Sequence, residues 1–226
     1  MKSKIIYISI FAILGFGLLQ LPVNNLAGTG AKLTFFDMFY PVSGALLGGV
    51  YGMLAVVLMQ FLNLAMHNFA GVSVLSFLTI LATIRILPML AGVLTFSKVS
   101  SKVLIIPALG IVSFLANPIG REAWIFTLFW LIPFAAWPAR NKFLVARSLV
   151  STFSSHAAGG AIWVWAFPTT SAFWITLMPI VALERSIFAL GISGSYILIN
   201  NLGYLLQQKE FIPAGLKFNK KYILLK

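Results

Sequence analysis

The sequence predicts an all-α protein, a polytopic transmembrane helix bundle of six to seven hydrophobic spans. Three observations carry this. Of 226 residues, 60% are hydrophobic and 9% charged, against ~45–50% and ~25% in soluble domains, and the mean hydropathy is +0.99. Charge-free stretches recur at about the 20 residues that a bilayer-crossing helix needs. The 16 Lys and Arg face only 4 Asp and Glu, a net charge of +12, and the lysines fall between the apolar runs, as in proteins oriented by basic loops. A soluble enzyme and a disordered chain are excluded by the apolar excess, and a nucleic-acid-binding domain also because no basic face survives outside the apolar segments. The chain has no Cys, which removes disulfides, thiolate metal sites and a Cys nucleophile.

The elements follow in order. Met1-Lys2-Ser3-Lys4 opens a first apolar run, 5–21, that looks like a signal sequence. It ends in the polar turn Gln20–Asn25 without a small-x-small cleavage site, so it reads as an uncleaved helix. In the second segment, 39–64, Gly44, Gly48 and Gly52 recur every four residues and predict one helix face for close packing. Asp37 precedes it, placed to cap the helix or meet its positive end, and Gln60 and Asn63 need partners. After the break His67–Gly71 comes 73–96. Arg85 lies near its middle, three residues before Pro88, which leaves the carbonyl of Ile84 without its helical partner. A kink beside a buried Arg lines a cavity, unless Arg85 snorkels. Segments 103–117 and 122–138 are short and read as thin spans or a tightly turned hairpin, with Asn117–Glu122 as the turn between them. Segment 144–167 is a plain span. Segment 173–206 is too long for one and carries Pro179 and Glu184-Arg185. It reads as a short interfacial or re-entrant helix followed by a span from about 186. The whole is one transmembrane domain, 1–208, with a basic cytoplasmic tail, 209–226.

Orientation holds a conflict. Lys98/Lys102, Arg140/Lys142/Arg147 and the tail are each separated by two spans, so all three fit the cytoplasmic side. Seven spans then put Lys2 and Lys4 outside; six put both termini inside, with one segment failing to cross.

A charge within the bilayer costs at least ~2.5–3.5 kcal/mol on insertion scales, so the few polar residues of the apolar runs are the candidates for substrate contact: Arg85, His156, Trp163, Glu184, Arg185 and Asn200. Glu184 and Arg185 point ~100° apart on a helix, so each wants a partner elsewhere, Arg85, Arg121 or Arg147 for Glu184. The outcome is either a structural ion pair or the wall of a binding site. His156 shares a helix face with Gly159, Gly160 and Trp163; this is a ligand wall with Trp163 stacking on a flat ring, or close helix packing. Asn200-Asn201 must find partners in the last span. No catalytic residues are assigned: there is no Gly-x-Ser-x-Gly, and Ser154-Ser155-His156 does not put serine and histidine on one face. No metal site is expected from two His without carboxylates at ligand spacing, and no cofactor. No phosphate-binding loop exists, so the chain does not itself use ATP.

The stretch Leu33-Thr34-Phe35-Phe36-Asp37-Met38-Phe39-Tyr40-Pro41, followed by the glycine repeat, resembles the entry to the second helix in the S components of energy-coupling factor (ECF) vitamin transporters. The resemblance implies a small, mostly six-helix membrane protein that binds a small-molecule ligand, works with a coupling membrane protein and ATPase subunits, and gates an outward-facing pocket with the loop after its first helix, here Pro22–Asp37. The expected function is thus the substrate-binding subunit of a vitamin-type importer, in a prokaryotic plasma membrane. A stand-alone secondary transporter or channel, with Glu184 in an ion relay, and an intramembrane enzyme acting on lipid or peptide stay open as alternatives.

Overall fold

A computed structural model describes residues 2–25, 32–67, 86–97, 100–213, 216 and 218–224. Helix α1 (Lys2–Leu19) leads into a two-stranded antiparallel hairpin of β1 (Pro22–Asn25) and β2 (Lys32–Thr34), with Pro22 opposite Thr34 and Asn25 opposite Lys32. The stretch expected as a plain loop is therefore partly paired. Helix α2 (Phe36–Leu47) follows at once. Asp37 in its first turn accepts from the Thr34 backbone N–H at 2.8 Å and from the Thr34 hydroxyl at 3.3 Å, which ties the hairpin to the helix start.

The segment 39–64 is not one helix. Gly48 has φ +90°, a conformation open to glycine at little cost, and the chain turns there into α3 (Gly49–His67). Eight residues of unbroken helix would separate Gly44 from Gly52 by ~12 Å. Instead a Cβ on Gly52 would lie 2.7 Å from the Gly44 nitrogen, so α3 folds back on α2. The Ser43 hydroxyl bridges the bend to the Gly52 carbonyl at 3.3 Å. The four-residue glycine spacing packs two short helices across a turn, rather than forming one stripe on a long one.

Helix α4 (Leu87–Phe96) begins with Pro88 in its first turn, where a missing N–H costs nothing. Arg85 and Ile84, with all of 73–85 and the break from Asn68 to Gly71, lie outside the described residues. A 3₁₀ turn at Ser101–Leu104 leads to α5 (Ile105–Ala116). The Asn117 side chain caps α6 (Pro118–Glu122), accepting from Ile119 N–H at 2.9 Å. The segment 122–138 is composite: a 3₁₀ run Trp124–Leu131, α7 (Ile132–Ala136) and a 3₁₀ turn Trp137–Ala139. Pro133 and Pro138 each open a new piece, as residues without an N–H do.

Helix α8 (Leu144–Ala166) is the axis of the bundle and packs against α4, α5, α7 and α9. Helix α9 (Ser171–Gln208) is capped by the Thr170 hydroxyl and runs without interruption through Pro179 and Glu184-Arg185. The expected division of 173–206 into a re-entrant piece and a span is thus replaced by one helix of 38 residues, about 57 Å long. Its inner stripe is Trp174, Val181, Glu184, Phe188, Ile192, Tyr196 and Asn200. Its outer stripe, Leu183, Ile187, Leu190, Leu198 and Leu202, is exposed and also apolar.

Two cores result. One joins Phe36, Phe39, Met59, Phe96, Ile192 and Tyr196. The other is aromatic: Phe114 meets Trp130 and Trp174 edge-on at 5.0 and 4.9 Å, around Phe126. Among the described residues α9 is the one helix long and apolar enough to cross a membrane by length and composition. The 23-residue α8 is as long as a span needs but carries five serines and threonines within residues 148–155. The other apolar helices are shorter among the described residues, so the six to seven crossings expected are not seen as such.

The helices alternate between two ends. Lys4 sits over the Tyr51 ring at 4.3 Å, beside the Gly48 bend. A Cβ on Gly49 would lie 3.4 Å from the Ser97 hydroxyl. Arg147 reaches the last carbonyl of α4, and Lys221 donates to the Lys142 carbonyl at 2.7 Å. These contacts gather Lys4, Arg140, Lys142, Arg147 and Lys221 at one end. The hairpin, Asn117–Glu122 and the α8–α9 turn lie at the other, where the Asn117 amide donates to the Val164 carbonyl at 3.2 Å.

Candidate functional site

The polar residues of α8 set its register against its neighbours. Arg147 donates its Nε–H to the Phe96 carbonyl at 2.6 Å and stacks on the Phe96 ring at 4.5 Å. A cation at the negative end of α4 answers that helix's unpaired carbonyls, so Arg147 is not a partner of Glu184. The Ser151 hydroxyl donates to the Gly92 carbonyl at 2.8 Å, and the Ser148 and Ser193 hydroxyls meet at 2.8 Å.

The Ser148–Ser193 contact fixes α8 antiparallel to α9. Two helical turns on, eight residues forward in α8 and eight back in α9, come His156 and Arg185, which interact electrostatically. Arg185 also senses Asp37 and Tyr40 across α2. The Tyr40 hydroxyl donates to Ser155 Oγ at 2.9 Å. Room for that ring comes from Gly92, where a Cβ would lie 2.7 Å from the Tyr40 oxygen. Asp37, Tyr40, Ser155, His156, Glu184 and Arg185 thus form one polar cluster between α2, α8 and α9.

Within it, Glu184 and Arg185 are paired only loosely. Arg185 Nη2 and Glu184 Oε2 are 3.9 Å apart, and their side chains are 12% and 10% exposed. The Arg185 guanidinium lies over the Phe188 ring at 4.6 Å. Glu184 Oε1 and Arg185 Nε are buried with no hydrogen-bond partner. Leaving such atoms unsatisfied costs about 1–3 kcal/mol each, and more where they are charged. Ser154 Oγ and Arg147 Nη2 are the other buried side-chain atoms left without a partner among the described residues. Ser154 follows Arg147 and Ser151 along the α4 side of α8, by the seven- and three-residue spacing.

The remaining sequence candidates have other neighbours. His156 Nδ1 accepts the indole N–H of Trp130 at 3.0 Å. Gly160, one turn on, admits that indole, since a Cβ there would lie 2.6 Å from the Trp130 ring. Phe126 and Phe153 complete the imidazole's surroundings. The flat ring beside His156 is therefore Trp130. Trp163 lies tilted over Phe167, ring centroids 4.2 Å apart, and a Cβ on Gly159 would meet Pro88 only at an ordinary 3.4 Å. Asn200 spends its whole amide on the C-terminal segment: Nδ2 donates to the Asn219 carbonyl at 3.1 Å and Oδ1 accepts from Asn219 N–H at 2.8 Å. Asn201 donates to the Tyr222 carbonyl at 2.7 Å and accepts from Leu224 N–H at 2.6 Å, while its Nδ2 also donates to the Ile197 carbonyl of its own helix at 2.8 Å. Phe218 and Tyr222 pack on the first core, and the Tyr7 hydroxyl donates to the Pro213 carbonyl. The described part of the segment 209–226 is docked along α9. Tyr40 and Trp130 were absent from the sequence candidates; both sit in aromatic-rich runs where nothing separates a polar role from core packing.

A groove of about 380 Å³, lined by Ser113, Ala161, Ile162, Trp165 and Ala166, opens between α5 and α8. Its walls are apolar, it is on the outer surface, and it shares no residue with the polar cluster. No family model, curated protein or solved structure matches this chain.

Proposed function

We propose that this protein is a multi-pass membrane protein that binds a small solute at the Asp37–Tyr40–Ser155–His156–Glu184–Arg185 cluster. In this reading it serves as the substrate-binding subunit of an importer whose ATPase and coupling membrane subunits are separate chains. The observation that carries the reading is the pair of unsatisfied atoms, Glu184 Oε1 and Arg185 Nε, held inside the bundle. Charged groups in such a place are costly, and a ligand that completes their bonding accounts for them.

Three further features support it. The exposed apolar stripe of α9 suits lipid rather than water. The basic end, with both described chain termini near it, suits the cytoplasmic face. Asp37 links the cluster to the β-hairpin at the opposite end, where the S-component resemblance places a gating loop. The shorter helices are taken to lie in the bilayer beside α9, tilted or stacked in series.

The test is purification from the native membrane into nanodiscs, followed by native mass spectrometry. A co-purifying small molecule, lost in Glu184→Gln, is expected, together with ATPase subunits in mild detergent. Absence of any bound or titratable solute refutes the reading. Solute movement by the chain alone in vesicles would favour the secondary-transporter alternative instead.

A further inference from the structure

From the geometry of the same cluster, and resting on the solute-binding reading above, we infer that the ligand is zwitterionic: one small molecule carrying both a cationic nitrogen and an anionic group. The argument starts from what Glu184 and Arg185 do not do. If their role were mutual neutralisation, the carboxylate and the guanidinium fork would close to a bidentate pair at normal hydrogen-bond distance. They are neighbours on one helix, ~100° apart, and meet at 3.9 Å through one oxygen and one terminal nitrogen. The other oxygen and Nε remain bare and buried. Standard bond lengths put each bare atom ~2 Å from the atoms in contact, so Oε1 and Nε are at most about 8 Å apart. That span is bridged by a single small molecule with charges at two positions.

Net charge decides between ligand classes. Adjacent Glu184 and Arg185 sum to zero. A monoanion would complete Arg185 but face the Glu184 carboxylate; a monocation would complete Glu184 but face the guanidinium. Either leaves a buried charge uncompensated, the expensive outcome. A zwitterion gives each bare atom its opposite charge and keeps the site neutral. Asp37 keeps its charge on accepting from Thr34, but it is only half-buried, so solvent screens it far more than it screens the buried pair. Tyr40, Ser155 and His156 complete the surround, and the Nδ1 of His156 is already taken by Trp130.

The experiment titrates the full chain in nanodiscs with a matched series by calorimetry. The probes are ω-amino acids from glycine to 6-aminohexanoate, α-amino acids of graded side chain, and for each the monoamine, the monocarboxylate and the uncharged amide. At least one zwitterion should bind about tenfold or more tighter than both of its singly charged counterparts. Glu184→Gln should erase its advantage over the carboxylate, and Arg185→Gln its advantage over the amine. A singly charged or uncharged probe that binds as well as its zwitterion overturns the inference and leaves the solute-binding reading standing. Binding by no probe of any class overturns both. The wild-type series decides on its own if a substituted chain fails to fold.

Discussion

Replacing Gly44 by Ala tests the close approach of α2 and α4 most directly. The added Cβ would overlap the Val93 carbonyl oxygen and lie 2.9 Å from Val93 Cγ1. Ordinary contacts begin near 3.5 Å, so the two helices must part by roughly 1 Å. The obstacle is backbone, which has no rotamer to yield. Overpacking of this kind costs about 1–3 kcal/mol. In a chain of this length that lowers the melting temperature by about 2–4 °C for each kcal/mol. The internal control is Gly194→Ala, on the outer side of α9 with nothing within 4 Å of the new Cβ. There the change should stabilise by up to ~1 kcal/mol through helix propensity. The assay is thermal unfolding in detergent followed by tryptophan fluorescence, with both variants and the parent in one buffer. The two substitutions should shift the transition in opposite directions. A Gly44→Ala protein that melts with or above Gly194→Ala refutes the α2–α4 contact.

Three more outcomes are expected. Trp130→Phe removes the N–H that His156 accepts and should cost about 1 kcal/mol by the same melting assay, whereas unchanged stability would mean the bond is not formed. Asn200→Leu should release the C-terminal segment, so that limited trypsin cuts at Lys220 and Lys221 at least several-fold faster than in the parent; equal rates would mean the segment is not held there. Because the chain is free of Cys, single substitutions Lys4→Cys, Lys102→Cys, Lys221→Cys and Glu122→Cys can be labelled with an impermeant maleimide in sealed, oriented vesicles. The first three should label from one side and Glu122→Cys from the other, and opposite labelling of Lys4→Cys and Lys221→Cys would remove the common basic end.

Helix content was legible in the sequence because it rests on composition and run length, and among the described residues most of the charge-free length is helical. The breaks within those stretches were harder to read. A glycine every fourth residue carries the same signal whether it lines one face or, as at Gly48, adopts φ +90° and reverses the chain. Pro179 is the mirror case: a helix breaker in isolation, it is tolerated because the rest of α9 packs on both sides of it. The orientation conflict treats 39–64 as one helix; the chain reverses at Gly48, and Lys4 lies over Tyr51 beside that bend, at the same end as Arg147 and Lys221. At the site, Glu184 and Arg185 stood out because charges are rare in such runs. Their surroundings did not, because Tyr40 and Trp130 are picked out only by which helix lies opposite.

The docking of the C-terminal segment divides responsibility unevenly between the two surfaces that meet. Asn200 and Asn201 read peptide backbone, accepting from N–H and donating to C=O groups that residues 219, 222 and 224 would offer whatever their side chains. Among the described residues of the segment, Phe218, seated over Gly203, and Tyr222, edge-on to Tyr196, are recognised by shape. The segment can therefore drift in sequence between those two aromatic anchors while the asparagines cannot.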